Sequence, residues 1–370
     1  MKIFTLAIPV LALSALFALA PAKSDAAVRG VSLHVTSAAK VYTSGAALPV
    51  RAYFRNQAKL PLTFCQFRSA PEYTFLCRGT YGPHAAQVAP TAFGREAVRP
   101  WSSNGFSFTP IGLIAPGNSG DYRHLIPVGQ YLDMTLPGRY LVRVTTKYGL
   151  RVGIPGPLWS TKREQMIFLV QDGDRSATQK RIARNVLVSQ PLRVTVLAPY
   201  GKIPAAALGP PVKVVPRANA TGIRVLLINA DAKGPGPITI DAEYANYGRS
   251  RIKLRLTGNP FVDFRAIQVQ GPSSLDRVRH VRAPKPHEVV TRVAVPAITA
   301  YGRWLAKHPV RGLKHKAYTL KPGMVYKYSE PINLSCMYDM TLAGVYRVRV
   351  ELAHTHTWSP WTNVAVPQYY

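Results

Sequence analysis

One internal repeat limits what this chain can fold into. Residues 114–144 align without a gap onto 320–350 at an offset of 206, with 13 identities in 31 positions. Pro116-Gly117 matches Pro322-Gly323, and Asp133-Met-Thr-Leu136 matches Asp339-Met-Thr-Leu342. Gly138, Tyr140, Val142, Arg143 and Val144 then match Gly344, Tyr346, Val348, Arg349 and Val350. Weaker matches set Asn56 beside Asn246 and Ser189–Val196 beside Ser359–Val366. Two copies of one domain follow, at 28–198 and 221–367. The first carries an insertion near 146–187. Between the copies, residues 199–220 hold Pro199, Pro204, Pro210, Pro211 and Pro216 among Ala and Gly, which predicts an extended, semi-stiff connector.

Each copy reads as a series of short strands. Leu48–Phe54 and Ile238–Tyr244 alternate at period two, as do Tyr140–Val144 and Tyr346–Val350. Long helical periodicity is missing, so the predicted class is all-β: two antiparallel sandwiches in tandem. Gly138-Arg-Tyr140-Leu-Val142 and Gly344-Val-Tyr346-Arg-Val348 look like the corner at which an immunoglobulin-like domain enters its F strand. There a Tyr two residues before a core position bonds its hydroxyl back to nearby backbone. With Pro-Gly upstream, the motif resembles the immunoglobulin-like modules of secreted bacterial proteins. The resemblance implies Tyr140 and Tyr346 as structural corners, an architecture rather than an activity. The core position taken by Cys in antibody domains is Val142 and Val348 here.

The N-terminus predicts export. Lys2 precedes an uncharged apolar run, Ile3–Ala20, and Ser24-Asp25-Ala26 offers small residues at a cleavage site. A signal peptide over 1–26 is the reading, with a periplasmic or secreted mature chain; the alternative is an uncleaved membrane anchor. No later stretch is apolar enough to span a bilayer. Of three cysteines, Cys65 and Cys77 are candidates for a disulfide in an oxidising compartment, leaving Cys336 unpaired; three buried thiols are the alternative.

Catalytic signatures are missing. His287-Glu288 lacks the second His of HExxH, and neither GxSxG, GxxxxGK[ST] nor GxGxxG occurs. The repeated Asp133 and Asp339, each beside a Thr, read as turn-capping carboxylates rather than general acids. His354 and His356 share a spacing that can hold a metal, but no third ligand is in sight, and a solvated strand end is the simpler reading. Trp159, Trp358 and Trp361 are candidate stacking positions or sandwich-closing residues. A non-enzymatic chain without metal or cofactor is therefore expected.

Positive charge is the functional lead. With 47 Lys+Arg against 17 Asp+Glu, the formal charge is +30. Arg249, Arg251, Lys253 and Arg255 alternate with Ile252, Leu254 and Leu256, and burying four cations is prohibitive, so the aliphatic side must face inward. Arg347 and Arg349 alternate likewise with Tyr346, Val348 and Val350. Read by chain order as strands C and F, the two rows are expected to merge into one basic sheet face. Residues 289–329 add eight cations and no acid, whereas Leu60–Phe67 of the first copy is uncharged. The expected partner is an anionic envelope polymer or surface rather than nucleic acid. The alternatives are a structural protein that recruits another envelope protein, an enzyme or enzyme-accessory domain with an unrecognised site, or cations that only solubilise.

Overall fold

The computed structural model describes residues 30–59, 62–65, 73–79, 86–98, 111–121, 125–146, 151–152, 187–200, 208–213, 223–229, 236–272, 294–353 and 356–366. The predicted leader lies outside them. Within them the chain is all-β, built of several sheets that are antiparallel but for one pairing, with a few short helices.

The first half runs β1 (Val31–Thr36), β2 (Val41–Thr43), β3 (Pro49–Asn56), β4 (Leu62–Cys65), β5 (Tyr73–Gly79), β6 (Ala86–Gln87), helix α1 (Ala92–Val98), β7 (Ile111–Ile114), β8 (Ser119–Asp121), β9 (Ile126–Pro127), helix α2 (Val128–Tyr131), β10 (Gly138–Thr146), β11 (Arg151–Val152) and β12 (Leu192–Leu197). Its sheets are β1-β3-β8, with β9 also on β3, then β2-β12-β10-β5-β6 and β11-β4-β7; β2 and β12 are the parallel pair.

The second half runs β13 (Val212–Lys213), β14 (Ile223–Asn229), β15 (Thr239–Asn246), β16 (Ile252–Leu256), helix α3 (Pro260–Asp263), β17 (Phe264–Gln270), helix α4 (Ala300–Lys307), β18 (Lys316–Leu320), β19 (Met324–Lys327), β20 (Ile332–Asn333), β21 (Gly344–Leu352) and β22 (Thr362–Val366). Its sheets are β13-β19-β15-β14, with β20 also on β15, then β16-β18 and β17-β21-β22.

Alternation drives these strands as expected. Val50, Ala52 and Phe54 of β3 are buried, and so are Ile240, Ala242 and Tyr244 at the corresponding places in β15. Each set anchors one of the two larger hydrophobic clusters, which also take in Val142 and Val144 from β10 and Val348 and Val350 from β21. The repeated polar residues inside these clusters are hydrogen-bonded, as burial requires. Asn56 donates to the Ile114 carbonyl at 2.9 Å, and Asn246 to the Leu320 carbonyl at 3.0 Å. Ser189 accepts from the Val144 amide and Ser359 from the Val350 amide. Tyr140 donates to the Leu136 carbonyl, and Tyr346 to the Leu342 carbonyl at 2.9 Å. Gly344 opens β21 at φ +152°, and a Cβ there would lie 2.8 Å from the Pro272 ring.

Two expectations need correction. Part of the connector is docked. Leu208 is buried in the second cluster, and Val212–Lys213 pair with β19 as an edge strand. Pro210 and Pro211 sit just before that edge, where missing amide donors cost least. Further, the strand beside β21 is β17, not β16, which pairs with β18. The two cation rows therefore lie in separate sheets. Chain order passes over β17 because a bulge between Phe264 and Ala266 breaks its alternation.

Candidate functional site: a cationic strand and the contact between the copies

Lys253 and Arg255 lie in β16, Arg251 immediately before it, and Arg249 in the bend at 248–250. Leu254 and Leu256 are buried and Ile252 is half-buried, while Arg249, Arg251, Lys253 and Arg255 are all exposed. Across the ladder Lys253 faces Thr319 and Arg255 faces Ala317, so the strand opposite brings no carboxylate into register. Exposed Lys307, Arg311, Lys314, Lys316 and Lys321 continue the charge along the chain that leads into and out of β18. Lys316 lies over the Tyr318 ring at 5.5 Å. Lys327 pairs with Asp241 at 2.7 Å.

Arg347 and Arg349 are placed differently. Each is half-buried on the outer side of β21, stacked on indoles. Arg347 lies 5.1 Å from the Trp361 ring centre, and Arg349 lies 4.5 Å from Trp361 and 4.3 Å from Trp358. The order is Arg347, Trp361, Arg349, Trp358, a ladder in which guanidinium and indole planes alternate. Arg349 also donates to Gln268 on β17 at 2.8 Å. Trp358 and Trp361 thus cover these cations, and the ladder ties β22 and the turn before it to β21. Spacing gave a signal: two Trp three apart just before the last strand, opposite two Arg two apart.

The repeated Asp residues cap helices, and the helix each caps belongs to the other copy. Asp339 accepts the Ala92 amide at 2.6 Å and Thr341 the Phe93 amide at 3.2 Å, at the start of α1. Asp133 accepts the Ala300 amide at 2.7 Å and Thr135 the Tyr301 amide at 3.1 Å, at the start of α4. Thr91 and Thr299, immediately before each helix, complete the caps, accepting from Gly94 and Gly302. All three first-turn amides of both helices are thereby satisfied. A second repeat underlies this: Ala89-Pro-Thr-Ala-Phe-Gly-Arg95 and Ala297-Ile-Thr-Ala-Tyr-Gly-Arg303, at an offset of 208. An ungapped comparison at 206 passes over it.

The contact between the copies is otherwise close and polar. Asn333 donates to the Ser44 carbonyl at 2.9 Å, and Ser335 to the Gly45 carbonyl at 3.0 Å. Gly45 has φ +83°, and a Cβ there would meet Ser335 Oγ at 2.5 Å. Burial raises the Asp133 carboxyl, against the lowering effect of Thr135, the Ala300 amide and Arg303; the charge on Asp339 adds to the rise. The cleft lined by Asp133, Thr135, Asp339, Thr341 and Ser335 measures about 50 Å³, room for a few waters and not for a polymer. Its carboxylates are occupied by amides.

Other titratable groups are likewise occupied. Asp263 is buried and accepts from Thr257, Gly258 and Tyr328, at 2.6–3.0 Å, which holds the β16–α3 turn. Cys336 is buried, which pushes its thiol well up, and it donates to the Asn333 carbonyl. Such a thiol is a small hydrophobe, not a nucleophile. The Cys65–Cys77 pairing falls on side chains outside the described residues. So do His354 and Trp159. β21 ends at Leu352, and His356 sits exposed in the following turn, hydrogen-bonded to Arg265 and 3.5 Å from Glu351. Among the described residues, no group of three or more His, Cys, Asp and Glu is arranged to hold a metal, and no helix is long and apolar enough to cross a membrane.

Neither the known family models nor the curated proteins include a match to this chain.

Proposed function

We propose that this is an exported, non-catalytic binding protein of the bacterial envelope, periplasmic or secreted. Its two copies form immunoglobulin-like sandwiches in tandem, and the second contacts an anionic polymer or surface through the face of β16. The observation that carries the reading is the exposed run Arg249, Arg251 and Lys253, with Thr319 opposite Lys253 in the ladder. Like charges this close along the chain repel, and a carboxylate beside them would relieve them. A protein selected for stability alone gains by placing one there; a site that awaits an external anion does not. Arg347 and Arg349 belong to the tryptophan ladder and support the sheet instead.

Binding to an immobilised anionic polymer, measured from low to high salt, tests this. Affinity is expected to fall steeply with salt through screening and counterion release. Arg251→Glu with Lys253→Glu is expected to abolish it. Binding indifferent to both overturns the reading.

A further inference from the structure

We propose a second binding site, on the outer face of the sheet β17-β21-β22, for an acidic sugar: a short oligosaccharide whose carboxylate is held by Arg347 and one of whose rings lies against Trp358. The site belongs to a different sheet from β16 and stands independently of that reading.

Strand register sets what this face displays. Arg347 lies between Gln270 on β17 and Asn363 on β22, and Arg349 lies beside Gln268. Two residues further along β21, Glu351 is bridged by Trp358. Glu351 is buried, while the amides, the two arginines and the indoles of Trp358 and Trp361 are all at least partly exposed.

The strand pairing does not require the tryptophan ladder. The first copy sets β12 against β10 in the same register: Gly138 opposite Val196 through Val142 opposite Leu192 corresponds to Gly344 opposite Val366 through Val348 opposite Thr362. Val188 bridges Thr145 there as Trp358 bridges Glu351 here, and Ser189 accepts a strand amide as Ser359 does. Yet the first copy has Val188 in place of Trp358, Pro191 in place of Trp361 and Leu141 in place of Arg347. The ladder supports its sheet, but an equivalent sheet forms without it. Exposed Trp and Arg set together are the residues that dominate binding sites.

Chemistry and charge select the occupant. Stacking takes up the planes of the guanidinium groups and leaves their edges, where the N–H donors form a fork that matches a carboxylate. A fork already held in place loses little freedom when the ligand arrives. The acid belongs at the Arg347 end, where the neighbours are neutral amides; at the Trp358 end Glu351 already supplies a carboxylate, paired with Arg265 at 3.3 Å and 3.5 Å from His356. Gln270 and Asn363 can each donate and accept, as neighbouring ring hydroxyls demand. The indole of Trp358 ends the ladder, and an indole face, negative at its centre, attracts the polarised C–H groups of a sugar ring. Arg347 and Trp358 stand two same-face steps apart, ~14 Å, so a ligand that meets both has more than one ring.

The test uses the full chain and a trisaccharide of galacturonic acid, with the monosaccharide and a neutral galactose trisaccharide as controls and polyphosphate as the probe for β16. The acidic trisaccharide is expected to bind and to change the tryptophan emission, and both controls to bind at least about tenfold more weakly. Arg347→Leu and Trp358→Val, which install the first copy's residues, should each cost the acidic trisaccharide a similar factor and leave polyphosphate binding unchanged. Arg251→Glu with Lys253→Glu should do the opposite. If the acidic trisaccharide binds without an emission change and is lost only with the Arg251 and Lys253 reversals, the ladder site is overturned and the β16 site stands. Equal binding of the neutral trisaccharide overturns the role of the carboxylate, and no binding of any sugar overturns the inference, whatever polyphosphate does. Were Trp358→Val not to fold, the emission change and Arg347→Leu would still decide.

Discussion

Asp133 and Asp339 occupy equivalent places in the two copies, and each closes the helix of the other's copy. The Asp339 carboxylate holds the first amide of α1, and the Asp133 carboxylate the first amide of α4. Thr135 and Thr341 each donate to their own Asp at 2.6 and 2.5 Å while accepting the next helix amide. One short motif thus does in duplicate what an interface between two subunits does by symmetry. The copies are joined by matched polar contacts as well as by their connector.

Removing either carboxylate should loosen this junction. Asp339→Ala or Asp133→Ala is expected to cost about 1 kcal/mol, the usual worth of a helix cap. The double variant should depart from the sum, since both act at one contact. Denaturant midpoints at unchanged slope measure this; midpoints equal to that of the unsubstituted protein would show that the caps do not stabilise the fold.

The pH dependence has a definite sign. Burial raises the folded Asp133 carboxyl above its ordinary value of 3.8, so the folded state favours the protonated form. The stability this contributes is present below 3.8 and lost as pH rises through the raised value. Asp133→Asn carries no such dependence. The stability of the native protein relative to this variant is therefore expected to fall as pH is raised from about 3 toward neutrality, read from urea midpoints at each pH.

The tryptophan ladder separates two kinds of cation. Arg349→Ala should destabilise by roughly 1–2 kcal/mol through lost stacking and shift the tryptophan emission. Salt-dependent binding should persist at the native affinity. Arg251→Glu with Lys253→Glu should do the reverse: lose binding with the unfolding midpoint nearly unchanged. An Arg349→Ala variant that loses binding as fully would return the ladder to the site.

The tyrosine corners should matter alike in both copies. Tyr346→Phe removes the hydroxyl that donates to the Leu342 carbonyl in a fully buried setting, at a cost of about 1 kcal/mol. Tyr140→Phe should behave similarly, and the two costs should add because the residues lie in separate clusters. Thermal and urea unfolding of the single and double variants decide it.

The strands, the inward-facing aliphatics of β16 and the tyrosine corners were legible in the residues because each depends on neighbours close in sequence. A period-two pattern sets which side of a strand is buried, and Tyr140 and Tyr346 reach carbonyls four residues away. The repeated Asn56 and Asn246 were visible, though what they bond was not: their partners Ile114 and Leu320 lie on other strands. The second repeat around Thr91 and Thr299 was present too, two residues out of step with the first.

Residue order alone carries the all-β class, the duplication and the outward cations of β16, since these follow from local alternation and the cost of burying charge. Packing in three dimensions was needed to establish that β17 rather than β16 lies beside β21, and that indoles cover Arg347 and Arg349. It was needed as well to show that Asp133 and Asp339 cap across the copies, over separations of 167 and 247 residues. Strand pairing and capping at such distances are settled by which surfaces pack together, and no local period records that.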